Sequence, residues 1–75
     1  MKAANETKYT KEDKKLFVEN LGWLLSKTRT GVVSAALDSE REIVTVTFDN
    51  GYEKRVNVAC DSYIAIIQDV VKHIN

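Results

Sequence analysis

Two side chains in this chain could support nucleophilic or metal chemistry, Cys60 and His73, and each is the only one of its kind. A cysteine nucleophile needs a base, and His73 is the only imidazole available. If one helix carried both, the thirteen positions between them would span ~20 Å at the helical rise, too far for a dyad. A Cys/His metal site fails on the same count. A single cysteine also forbids a disulfide within one chain. Cys60 is therefore expected to pack as a small buried hydrophobe. The carboxylate pairs Glu12/Asp13 and Glu40/Glu42 sit at a helix start and around a turn, where solvated charge is the ordinary reading. No P-loop, dinucleotide-binding glycine pattern, nucleophile elbow or metal-ligand spacing is present. These residues predict a non-enzymatic protein with no cofactor, no metal and no small-molecule substrate.

The elements that position these residues follow from periodicity. Thr10 is a helix N-cap, with Glu12 and Asp13 where the helix dipole favours anions. The helix is expected to run to about Thr28, with Phe17, Val18, Leu21, Leu24 and Leu25 as its core stripe. Leu16 and Trp23, seven apart, share a different flank. Alternation then predicts strands at about 31–37, 42–48 and 52–58. An Asn50-Gly51 two-residue turn would set Val44, Val46 and Phe48 beside Glu53, Arg55 and Asn57. A three-residue loop, Asp49-Asn50-Gly51, instead pairs Phe48 with Tyr52, Val46 with Lys54 and Val44 with Val56. That loop is a type I turn closed by a bulge with Gly51 left-handed. A tight turn at Ser39-Glu40 is expected to pair Asp38 with Arg41, Ala35 with Val44 and Val33 with Val46. The apolar face is then Val33, Ala35, Leu37, Val44, Val46, Phe48, Tyr52, Val56 and Val58. Val32, Ser34, Ala36, Ile43, Thr45, Thr47, Glu53, Arg55 and Asn57 fall on the other face, which can stand in water. A last helix is expected from Cys60 or Asp61, with Cys60, Tyr63, Ile64, Ile67, Val70, Val71 and Ile74 as its stripe and Ile66 outside it.

The fold class is thus α+β, in the order α-β-β-β-α. A three-stranded antiparallel meander carries two helices on one face. Residues 1–9 read as a flexible tail and 10–75 as one domain, since 75 residues allow no more than one core. The formal net charge is zero, but residues 1–30 hold seven basic and four acidic side chains, and residues 31–75 hold four and seven. No signal peptide or membrane span is apparent. With a lone thiol, this suggests a cytoplasmic location.

The element order resembles that of double-stranded-RNA-binding domains over nearly the whole folded chain. The resemblance is one of topology, and the second expectation for function is a nucleic-acid-associated domain using the basic N-terminal helix, with Lys8, Lys11, Lys14, Lys15, Lys27 and Arg29 as contacts. Two segments depart from that family. The lysine-rich start of its last helix is replaced by Ala59-Cys60-Asp61-Ser62-Tyr63, and its histidine-bearing β1–β2 loop by Asp38-Ser39-Glu40-Arg41. Both departures count against duplex-RNA binding. The leading expectation is an interaction module that binds a protein partner or a second copy of itself. The flank of Leu16 and Trp23 supplies one surface, because tryptophan is a frequent interface anchor. The uncharged first strand, with Val32, Ser34 and Ala36, supplies an unguarded edge as the other.

Overall fold

The computed structural model describes residues 10–74, so the expected tail at 1–9, Lys8 included, lies outside the described residues. The elements are α1 (Lys11–Ser26), β1 (Val32–Asp38), β2 (Ile43–Phe48), β3 (Glu53–Asn57) and α2 (Tyr63–Ile74). The strands form one antiparallel sheet in the order β1-β2-β3, and both helices pack on one face of it. Among the described residues, no helix is long and apolar enough to cross a membrane.

Local chemistry sets the start of α1. The Thr10 hydroxyl accepts from the Asp13 amide at 3.0 Å, and the Asp13 carboxylate accepts from the Thr10 amide at 3.5 Å. This reciprocal pair satisfies two of the free donors at the helix start. The β2–β3 hairpin has the expected three-residue loop. Gly51 has φ +86°, its amide donates to the Phe48 carbonyl at 2.9 Å, and the Phe48 amide donates to the Tyr52 carbonyl at 2.8 Å. Val46 pairs with Lys54 and Val44 with Val56. A Cβ at position 51 would meet nothing within 4 Å, so only backbone strain opposes one. Gly51→Ala should cost about 1 kcal/mol in a urea titration. A neutral result would mean the loop relaxes to another turn.

The β1–β2 connection is longer than expected. Asp38 pairs with Ile43, not Arg41, so the turn spans Ser39 to Glu42. The Asp38 carboxylate accepts from the amides of Glu40 at 3.0 Å and Arg41 at 3.2 Å, and its carbonyl from that of Glu42 at 2.7 Å. These bonds close a wider loop, in which Glu42 takes φ +56°. The pairing consequently moves by two residues, to Leu37 with Val44 and Ala35 with Val46. An even shift preserves faces, so these four side chains stay together in the core.

An odd irregularity does change faces. Val32 pairs with Phe48 and Ser34 with Thr47, which leaves Val33 as a bulge. Val32 is consequently buried, at 3% exposure, while Val33 faces outward. The expectation of Val33 in the core and Val32 on the open face is reversed here, because the extra residue switches the alternation once. Tyr52 is also exposed, although Phe48 packs against the core as expected.

Both helices are rotated relative to their expected stripes. On α1, Val18, Leu21 and Gly22 are buried and Phe17 and Leu25 pack beside them, but Leu24 is exposed. The reason is Gly22. A Cβ there would lie 2.3 Å from the Ala35 backbone nitrogen. Closest approach at this glycine turns the 18–22–25 side onto β1 and carries Leu24 away. On α2, Ile66 and Val70 are buried while Ile64 and Val71 are exposed. The apolar arc of α2 covers roughly 160° of the helix circumference, more than one contact face can bury. Packing selects the Ile66 side, with the Tyr63 ring stacked on Phe17 at 4.3 Å between centroids. The Lys54 ammonium fastens the far end by donating to the His73 carbonyl at 2.7 Å.

Candidate functional site

The outward face of α1 holds the largest exposed apolar groups of that helix. Trp23 is 60% exposed, Leu16 57% and Leu24 56%. At about 100° per residue, Leu16 and Trp23 lie nearly opposite the Val18–Leu25 contact with the sheet, pointing to solvent rather than along a flank. The Lys27 ammonium lies over the indole, 5.1 Å from its centroid, a cation–π contact. Leu24 belongs to this surface although periodicity assigned it to the core. The sequence signal that could have found it is Gly22, whose missing side chain marks the side of closest approach.

Of the expected β1 surface, Ser34 and Ala36 are exposed and Val32 is not. The strand is an edge of the sheet. The Val33 bulge interrupts its regular geometry at the start of the strand, while Ser34 to Asp38 pair regularly with β2.

The basic set does not converge. Lys11, Lys15, Lys27 and Arg29 are exposed, but Lys11 and Lys27 stand at opposite ends of a helix about 24 Å long. Lys14 is engaged elsewhere. Its ammonium donates to Glu42 Oε1 at 2.5 Å and to the Val58 carbonyl at 3.3 Å. This contact ties the start of α1 to the β1–β2 turn and to the end of β3.

Asp61 lies close to the same cluster. Its Oδ2 is shielded from solvent and no group donates to it. A carboxyl hydrogen bond with Asp69, loss of water, and the negative charges of Asp69 and Glu42 push the Asp61 pKa up, against the pull of the Lys14 ammonium. The folded pKa therefore exceeds the unfolded one, and the folded chain holds the proton more tightly between the two values. Stability should fall as pH rises through that interval, and the full cost of the charge remains above the folded pKa. Asp61→Asn should accordingly stabilise the domain at neutral pH and confer no gain once both forms are protonated. Urea titrations at several pH values would show this, and a pH-independent difference would contradict it. Among the described residues, no group of three or more His, Cys, Asp and Glu side chains could hold a metal ion.

Cys60 is not the buried hydrophobe that periodicity implied. It is exposed, in a left-handed conformation with φ +64°. A turn closed by the Asp61 amide on the Val58 carbonyl at 3.0 Å precedes α2, whose first turn is capped by Ser62 Oγ accepting from the Ala65 amide at 3.2 Å. The helix thus starts at Tyr63, beyond Cys60. The thiol should label in the native state about as fast as in urea. Slow native labelling would show that the loop closes over it. Cys60→Gly should raise stability by about 0.5–1 kcal/mol, since glycine bears no penalty at positive φ.

Comparison of the chain with family models, with curated proteins and with solved structures returned no significant match.

Proposed function

We propose that this protein is a non-enzymatic interaction module that binds a protein partner through the outward face of α1. The observation that carries this reading is the exposed group Leu16, Trp23 and Leu24, on the side of the helix turned away from its own core. A small domain gains little by holding an indole in water, whereas tryptophan in an interface is a common energetic anchor. Lys27 above the ring keeps a polar rim beside it. An exposed, unpaired Cys60 suits a reducing compartment, and so a cytoplasmic site of action.

The experiment is capture of binding proteins by the parent chain and by Trp23→Ala, at low and at high salt. An apolar contact should survive salt and fail with Trp23→Ala. The rival reading is nucleic-acid association through Lys11, Lys15, Lys27 and Arg29. It requires binding that falls steeply with salt and depends on Lys11 and Lys15 rather than on the indole. Capture unaffected by Trp23→Ala would overturn the proposal.

A further inference from the structure

We infer that the partner for this face is a second copy of the chain, docked with its α1 antiparallel to the first. The inference rests on the interaction reading above and adds the identity and geometry of the occupant. The centre line of the outward face of α1 reads Glu12, Leu16, Glu19, Asn20, Trp23 and Lys27, all exposed, with Leu24 at the margin about 100° around the helix from Trp23. This order is complementary to its own reverse. A two-fold axis between Glu19 and Asn20 sets Leu16 against Trp23 of the second copy, Glu12 against its Lys27, and Glu19 against its Asn20. Each contact occurs twice, as a two-fold interface requires.

Four observations agree with this pairing. First, Leu16 and Trp23 are the large exposed apolar groups on the line, and the antiparallel register brings them together across the axis. Second, Glu12 in the first turn of α1 meets Lys27 at the C-cap of the second copy, while a parallel pairing would set Glu12 against Glu12 and Lys27 against Lys27. Glu12 has no ion pair among the described residues, and Lys27 is engaged only with its own indole. Third, antiparallel helices also align their dipoles favourably. Fourth, the face points away from the sheet, so two copies stack as sheet, helix, helix and sheet without strand collisions. The chain carries no net charge to keep copies apart.

Sedimentation equilibrium of the full chain over a range of concentrations at low salt is the direct test, because exposed charge pairs are screened by salt. The parent should dimerise. Glu12→Lys and Lys27→Glu should each weaken dimerisation by roughly tenfold, since each creates two like-charge contacts. The double variant carrying both changes restores both pairs and should return to within about threefold of the parent. An equimolar mixture of the two single variants should form a heterodimer in preference to either homodimer, because each copy then carries the charges the other lacks, while weakening by each single change and recovery in the double variant are what only an antiparallel register allows. All of these positions are exposed, and circular dichroism would verify that each variant folds. A monomeric parent at every concentration would overturn the self-pairing. The interaction reading would still stand if Trp23→Ala abolished capture of another protein. A dimer in which the charge exchange restores nothing would overturn the antiparallel register.

Discussion

Gly22→Ala should lower stability by about 2–3 kcal/mol, and the melting temperature by roughly 10–20 °C, although alanine is the better helix former. Helix propensity taken alone gives the opposite sign, a gain of about 0.5–1 kcal/mol. Sterics decide the outcome. The added Cβ would sit 2.3 Å from the Ala35 nitrogen, 2.9 Å from the Ala35 Cβ and 3.0 Å from the Ser34 carbonyl carbon. Two of these three atoms are backbone, so no rotamer change relieves the contact. The helix must lift from β1 by about an ångström, loosening Val18, Leu21 and Leu25 against Ala35 and Leu37 together. Ala35→Gly removes only the Cβ contact and should not rescue Gly22→Ala. Thermal unfolding of the three variants would check both statements. A stabilised Gly22→Ala would mean that α1 does not approach β1 this closely.

Ile66→Ala should cost about 2–5 kcal/mol, a large part of the 5–15 kcal/mol that holds a typical domain together. Ile66 has no exposed surface and sits in the core with Val44, Val46, Val56 and Val70. Truncation leaves a cavity that rigid neighbours fill only in part. Ile64→Ala, two residues earlier, removes an exposed side chain and should stay within about 0.5 kcal/mol of the parent. The contrast matters more than either value. It tests the rotation of α2, because the expected stripe placed Ile64 inside and Ile66 outside. Equal costs in urea titrations would place the helix midway between the two orientations.

Much of the architecture was legible from local rules. The Thr10 cap, the strand alternation and the Asp49-Asn50-Gly51 loop each depend on residues within a few positions of one another. Their chemistry is complete before any long-range contact forms. The order α-β-β-β-α and the single covered face follow from the same periods. So does the grouping of Ala35, Leu37, Val44, Val46, Val56 and Val58, which survived an error in turn length because the shift was even.

What tertiary structure alone decided were rotations, one-residue insertions and the reach of long side chains. The bulge at Val33 exchanges Val32 with Val33, yet no residue type there announces it. The apolar arcs of α1 and α2 are both wider than the faces they bury, so periodicity permits several orientations. Gly22 against the Ala35 backbone selects one for α1 and exposes Leu24 beside Trp23. Packing of Ile66 and the Phe17–Tyr63 stack select one for α2. Lys14 reads as a solvated cation in sequence, and only the fold brings Glu42 and Val58 within its reach. Cys60 completes the series. Its place on a helical period suggested burial, but the turn after β3 stops it from joining the helix and leaves it in water. Spacing determines which residues can share a face, while the closest backbone approach determines which of them are covered.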